Sequence, residues 1–348
     1  MITTTARAVS GAHEKFEKIT IDRRNVGAND VLIDIKFAGI CHSDIHTARS
    51  EWREIEYPFV PGHEIAGVVA QVGPDVTQYK VGDHVGVGCM VNSCGQCDYC
   101  KAGDEHLCET GSVGTYASYD KYGDGSLTQG GYASQIVVKE DFVLRIPDSL
   151  PLDKAAPLLC AGITTYSPLK QWGITKGSKV AVVGLGGLGH MAVKLAHAMG
   201  AEVTVLSHSD KKLQDSLAFG ADHYVNTSED GALEKLAKSF DFILNTVSVP
   251  LNLGAYLSLL RAKGAMVYVG LPPEPLQLNI GSLIGGRKAL AGSNIGGIRE
   301  TQEMLDFCAE HGVLPEIEKI TADQIDEAYE RVVASDVRYR FVIDNATI

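Results

Sequence analysis

Apolar and polar positions follow two rhythms along this chain. In the first third, short runs alternate apolar with polar residues. Residues 31–37, Val31-Leu32-Ile33-Asp34-Ile35-Lys36-Phe37, read as a strand, and 65–72 and 81–87 read the same way, punctuated by Gly73-Pro74 and Gly82-Asp83. Glycine-spaced strands of this kind predict a compact, barrel-like β unit. After Pro157 the texture changes. Val180-Ala181-Val182-Val183 is a continuous apolar run bounded by glycines, the mark of a buried parallel strand. A helical pattern follows over 188–199, with further strands at 202–206, 241–245 and 265–270. Strands alternating with helices predict a parallel sheet wrapped by helices, so the fold class is α/β. From Thr301 the pattern is helix, loop, helix and a final strand at 339–343, expected to rejoin the first domain. The expected division is a β-rich domain at 1–156, a parallel-sheet domain at 157–295 and a returning segment at 296–348.

Composition narrows the picture. A chain of 348 residues suits about two domains. It is 45% hydrophobic and 21% charged, which excludes a disordered chain. No apolar run approaches the roughly 20 residues of a membrane helix. The start, Met1-Ile2-Thr3-Thr4-Thr5-Ala6, lacks the basic and apolar parts of an export signal, so a cytoplasmic location is expected. The net charge of −12 argues against a nucleic-acid partner, because an acidic surface repels phosphates. It leaves room for a small anionic cofactor held by local basic groups. Eight cysteines without an export signal point to metal binding rather than disulfides.

Cys94, Cys97, Cys100 and Cys108 form C-x2-C-x2-C-x7-C, within a lobe at about 89–110. Short spacers let one loop surround a tetrahedral zinc, and four thiolates leave it no open position, so this site is expected to be structural. Gly184-Leu185-Gly186-Gly187-Leu188-Gly189 fits G-x-G-x-x-G between a buried strand and a helix. Gly184 suits the tight turn, Gly186 the approach of a pyrophosphate, and Gly189 close packing of helix on strand. An NAD site usually carries an acid at the end of the next strand. Here Ser207-His208-Ser209-Asp210-Lys211-Lys212 stands there instead. Ser207, Ser209, Lys211 and Lys212 suit a 2′-phosphate, so the cofactor reads as NADP(H), with Asp210 the one objection. Ser209 or Asp210 also suits the start of a helix.

A second metal set is weaker on residues alone. Cys41, His63 and Cys160 would make a Cys2His zinc site with one open position, a catalytic pattern. Cys160, in Leu159-Cys160-Ala161, reads equally well as a buried core residue.

Taken in order, Gly39-Ile40-Cys41-His42-Ser43-Asp44, Gly62-His63-Glu64, the four-cysteine lobe, Pro157-Leu158-Leu159-Cys160-Ala161-Gly162 and the glycine motif resemble the zinc-dependent medium-chain alcohol dehydrogenases, over nearly the whole chain. The resemblance is greatest to the cinnamyl-alcohol-dehydrogenase type of NADP-dependent aldehyde reductase, bacterial members included. It implies a GroES-like catalytic domain plus a Rossmann cofactor domain, and two zinc ions per chain. It implies that Cys41, His63 and Cys160 hold the catalytic zinc, with Glu64 an occasional fourth ligand. Asp44 would orient His63, and Ser43 and His46 would form a proton relay. Thr164 would pack near the nicotinamide, with the backbone at Val269, Ser293 and Ile295 gripping its carboxamide. Gly187 and Leu188 would complete the phosphate turn. Arg340 would reach the pyrophosphate, and His42 would be a weaker phosphate contact than the Arg of some relatives.

The substrate pocket is less defined. Trp52 and Tyr57 are candidate linings, as is Tyr116. Tyr116, Tyr119 and Tyr122 lie in a glycine-rich loop at 109–131, and serve equally well as a shield at the domain joint. An aromatic or medium aliphatic aldehyde would suit them. The alternatives are an NAD-linked polyol or secondary-alcohol dehydrogenase, and a non-catalytic zinc-binding scaffold. A zinc-ribbon nucleic-acid binder is a third, disfavoured by the charge. A homodimer is expected, with an edge strand near 290–295. Cys89 and Cys308 are assigned to packing.

Overall fold

Val180, Ala181 and Val182 are wholly buried because their strand is the centre of a parallel sheet. Lys179–Val183 pairs with Glu202–Ser207 on one side and Phe240–Asn245 on the other. His223–Asn226 extends the first side, and Leu260–Tyr268 and then Ala289–Gly292 the second. In chain order the six parallel strands lie 3-2-1-4-5-6, the doubly wound order, with its switch point between first and fourth. The computed structural model describes all 348 residues. They form two units, Met1–Ile163 with Gly296–Ile348, and Thr164–Ile295.

The first unit is built on a seven-stranded mixed sheet. Its central strand, Asp30–Gly39, pairs antiparallel with Ile65–Val72, Gln135–Lys139 and Arg340–Asp344. Three chain ends therefore meet at one place. Gly39 N–H donates to the Glu64 carbonyl at 2.9 Å, and Ile40 N–H donates to the Phe341 carbonyl at 2.9 Å. Cys41, His63, Glu64 and Arg340 are brought together by that registry. A core containing Phe59, Tyr132, Ile325, Phe341 and Ile343 ties the returning segment to the unit.

Several expectations shift. The strand expected from 81 covers only His84–Val87, because Gly82 turns the chain at φ +95° and Val81 is exposed. The returning segment adds a strand, Ile317–Ile320, paired in parallel with Arg340–Asp344. Residues 157–163 belong to the first unit rather than to the parallel-sheet unit. Their turn packs on the helix Ile298–His311, where a Cβ on Gly162 would lie 2.9 Å from Met304 Sδ. No helix is long and apolar enough to cross a membrane.

Candidate active site

Cys41 precedes the helix His42–Ala48. Asp44, the third residue of that helix, reaches back to accept the Cys41 N–H at 2.8 Å. This is a capping box with Asp in the place usual for Glu or Gln. The carboxylate is wholly buried and collects three more contacts. Gly62 N–H donates to it at 3.2 Å and Tyr132 O–H at 3.3 Å, and His63 Nδ1 lies 2.9 Å from Oδ1. With Nδ1 held by Asp44, Nε2 is the His63 nitrogen left for a metal.

Cys160 lies in a π turn, Leu158–Gly162, a widened helical turn that recurs at functional sites. Its Sγ is 4.0 Å from Cys41 Sγ. Donor atoms of Cys41, His63, Glu64 and Cys160 all lie within 4.8 Å of one another, and all four residues are buried. Hydrogen bonding with Cys160 draws the Cys41 thiol well below its ordinary pKa despite burial, and the same contact pushes Cys160 up. Burial disfavours charge on His63, but Asp44 outweighs it and raises the imidazole pKa well above its ordinary value. Glu64 is raised by burial to about 7, against the pull of Arg340. Its Oε1 pairs with Arg340, while its Oε2 is buried with no partner. Two thiols, an imidazole and an orphaned carboxylate oxygen form a donor set that fits zinc.

Arg340, expected at the pyrophosphate, is buried and paired with Glu64 beside the donor set. Cys89 Sγ lies 4.0 Å from the Leu159 carbonyl oxygen, and hydrogen bonding towards Cys160 lowers its thiol pKa. Cys308 does pack, with its Sγ 3.6 Å from Met304 Sδ.

Ser43 Oγ lies 3.7 Å from Cys41 Sγ. His46 Nδ1 contacts Glu51 Oε2, and its ring stacks on Trp52 with centroids 4.8 Å apart. Glu51 was not expected from sequence. Its only signal is an acid five residues beyond a histidine. His42 is exposed, its ring centroid 5.9 Å from that of His46.

The candidate aromatic residues have different surroundings. Tyr57 O–H donates to the Ala48 carbonyl at 2.9 Å and supports the core. Tyr119 is exposed on Glu56. The Tyr122 hydroxyl joins Thr110 at 2.6 Å, with Cys108 Sγ 3.8 Å away. Tyr116 is half-buried, with its hydroxyl 3.0 Å from His63 Nδ1. Trp52 is about half exposed.

Donor atoms of Cys94, Cys97, Cys100 and Cys108 also lie within 4.8 Å of one another, and none is in a disulfide. Gln96 and Cys97 N–H groups both donate to Cys94 Sγ at 3.4 Å. Burial opposes ionisation of Cys108, but hydrogen bonds from the Cys94 backbone and Thr110 lower it to about 5. Cys100 is raised by burial to about 12. All four sulfurs can ionise together only beside a cation, which fits a structural zinc.

In the second unit, Gly184 takes φ +88° at the end of the central strand. A Cβ on Gly189 would fall 2.1 Å from the Gly184 carbonyl oxygen, whereas one on Gly186 would meet nothing within 4 Å. The loop thus packs tightly at Gly189 and stays open at Gly186, as a phosphate cradle requires. Gly187 and Leu188 lead into the helix Gly189–Ala198. Ser207 ends the neighbouring strand, and its carbonyl accepts the Thr227 N–H at 2.7 Å. Lys212 Nζ donates to the Leu185 carbonyl at 2.9 Å, so this ammonium sits on the glycine loop. Lys211 is exposed, and Ser209 accepts the Tyr224 hydroxyl on its carbonyl. Asp210 accepts the Asn226 amide at 3.2 Å. Val269 and Ser293 follow the carboxyl ends of their strands, donating their N–H groups to Asn245 and Tyr268 at 3.0 Å. Ile295 takes a left-handed φ of +43°. Thr164, buried, opens the unit.

Residues 27–148 match the alcohol dehydrogenase GroES-like domain, and 187–310 match the zinc-binding dehydrogenase family. An NADP-dependent alcohol dehydrogenase of Mycolicibacterium smegmatis is 64% identical, over 100% of this chain and 99% of its own. An aldehyde reductase of Escherichia coli is 53% identical over 97% of each chain. Among solved structures, a cinnamyl alcohol dehydrogenase from Sorghum bicolor aligns with a TM-score of 0.96 at 44% identity, covering 99% of this chain and 98% of that one. The CAD of Helicobacter pylori, in complex with NADP(H), aligns with a TM-score of 0.93 at 46% identity, covering 99% of each.

Proposed function

The chain belongs to the zinc-binding alcohol dehydrogenases, and we propose that it moves a hydride reversibly between NADP(H) and a primary alcohol–aldehyde pair, chiefly as an aldehyde reductase. One observation carries the reading: Cys41, His63 and Cys160 converge as a buried donor set, with His63 held by Asp44. A zinc ion held there supplies Lewis-acid polarisation of the carbonyl, and bound NADPH supplies the hydride.

The chain's own residues do the rest. Cys41 and Cys160 bring two thiolates, and Asp44 keeps the His63 proton on Nδ1. Arg340 neutralises Glu64 in a buried pair and leaves one oxygen of that carboxylate uncommitted. Ser43 delivers a proton to the nascent alcohol oxygen. His46 exchanges it with solvent, and Glu51 and Trp52 fix the His46 ring. In the cofactor unit, Gly184, Gly186, Gly187, Leu188 and Gly189 receive the pyrophosphate. Ser207, Ser209, Lys211 and Lys212 receive the 2′-phosphate. The Asp210 carboxylate accepts the Asn226 amide, which occupies one of its oxygens. Thr164, Val269, Ser293 and Ile295 serve the nicotinamide. His42 is a minor phosphate contact.

The substrate is an aromatic or medium aliphatic aldehyde, with Trp52 at its entrance. The name of the sorghum relative supports the aromatic choice. Homodimerisation along the exposed edge strand Ala289–Gly292 fits the exposed Leu271, Ile280 and Ile284 of the same unit, and sedimentation tests it. The unbridged cysteines fit a reducing cytoplasm. The activity itself is tested by loss of reduced-nicotinamide absorbance with cinnamaldehyde. NADPH is expected to exceed NADH in kcat/KM, with NADH preference overturning the cofactor assignment. Ser43→Ala is expected to slow turnover while the zinc content holds. Wild-type turnover would overturn the relay.

A further inference from the structure

Tyr116 stands apart from the roles assigned above. Its hydroxyl is 3.0 Å from His63 Nδ1, the nitrogen that Asp44 Oδ1 also approaches at 2.9 Å. The Tyr116 hydroxyl is the hydrogen-bond partner of Nδ1, while Asp44 Oδ1 faces the same nitrogen as an ion-pair contact, so two oxygens hold it from different sides. The acceptors come from different elements. Asp44 belongs to the helix His42–Ala48, and Tyr116 follows the short strand Val113–Gly114. A single acceptor leaves the imidazole free to pivot about one contact, whereas two define its plane. The Tyr116 ring adds an edge contact to His63, with centroids 5.4 Å apart and planes at 60°, and packs at 84° on Phe59.

The backbone around Tyr116 is fastened on both sides. Thr115 Oγ1–H donates to the Gly88 carbonyl at 2.5 Å, and Ala117 N–H to the Thr128 carbonyl at 3.0 Å. Val113–Gly114 pairs with Met90–Asn92, the strand that leads into Cys94. Ser93 Oγ accepts the Cys100 S–H at 3.2 Å, so that strand ends on the sulfur cluster. Cys108, five residues before Val113, enters the segment from the other end. Where the four-cysteine lobe folds therefore decides where Tyr116 lies.

We propose that Tyr116 is a positioning residue for His63, and that it couples the order of the four-cysteine lobe to the geometry at Cys41, His63 and Cys160. The proposal rests on reading those three residues as metal ligands. The coupling is mechanical. Loss of metal from the lobe frees the strand pair, withdraws the Tyr116 hydroxyl and leaves His63 oriented by Asp44 alone.

Tyr116→Phe removes one oxygen and keeps the ring's packing, so it isolates the hydroxyl. In the full-length zinc-loaded enzyme, release of zinc to a chromophoric chelator resolves the two sites. The expected result is about a 10–100-fold faster release from the three-ligand site, with the lobe's release rate unchanged. Cobalt(II) placed at the three-ligand site is expected to show shifted visible bands in Tyr116→Phe. Cys100→Ser, which empties the lobe, is expected to give a similar shift in the wild-type background and little more in Tyr116→Phe. Wild-type release and an unchanged cobalt spectrum in Tyr116→Phe would overturn the inference while leaving the metal site standing. Wild-type protein that holds only the lobe's zinc would overturn the metal-site reading and this inference with it.

Discussion

Replacing Asp44 with Ala removes the acceptor on which four donors converge. Cys41 N–H and Gly62 N–H are buried and lose their partner, at about 1–3 kcal/mol each. The His63 contact loses a charged partner, worth about 1.5–3 kcal/mol. These terms share one carboxylate and do not add fully, so the expected loss is about 3–5 kcal/mol, the scale for breaking a buried charged pair. Asp44→Asn keeps one acceptor oxygen but turns an amide donor towards the remaining donors, and about 1–3 kcal/mol is expected. Urea unfolding of the zinc-loaded protein measures both. Of the two tryptophans, Trp172 lies in the second unit, so a Trp172→Phe background leaves Trp52 to report on the first. Zinc affinity at the three-ligand site is expected to fall about 10–100-fold in Asp44→Ala. A loss below about 1 kcal/mol, with unchanged zinc affinity, would refute the role given to Asp44, since changes of that size are ordinary for surface positions.

Other consequences follow from the same geometry. Gly186→Ala is expected to melt near the wild-type temperature but bind NADPH at least tenfold more weakly, because its methyl enters open space. Gly189→Ala is expected to lower the melting temperature as well, because its methyl would strike the Gly184 carbonyl at 2.1 Å. Thermal melts with fluorescence titration of NADPH separate the two. Arg340→Ala leaves Glu64 buried and uncompensated, and about 3–5 kcal/mol of stability is expected to be lost, with Glu64→Gln in the same protein restoring most of it. Cys100→Ser is expected to halve the zinc content and lower the melting temperature, and metal analysis with calorimetry checks both.

Most of the architecture was legible because its signals are local. The apolar run at 180–183, the glycine spacing after it and the lobe's cysteine spacing each lie within one short window. Ile317–Ile320 was missed because two charges interrupt its four residues, and its pairing partner lies beyond a helix. The three-ligand donor set was illegible from spacing, since Cys160 reaches Cys41 from 119 positions away through a turn that no periodicity announces. At Arg340 and Tyr116 residue type suggests a phosphate contact and an aromatic lining, whereas the partners each side chain takes in the fold are set by distant segments and are not written in the local sequence. Arg340 is held by Glu64, and Tyr116 by His63. Asp210 likewise has a partner that the sequence does not announce, the Asn226 amide at 3.2 Å.

The central claim is that a zinc ion at Cys41, His63 and Cys160 is needed for NADPH-dependent aldehyde reduction. The most direct measurement follows NADPH oxidation with an aromatic aldehyde in protein of known zinc content, before and after selective removal of the metal from that site and again after its return. Turnover is expected at two zincs per chain, none at one, and recovery on readdition, with NADPH binding retained throughout. Undiminished turnover after the three-ligand site has been emptied would contradict it.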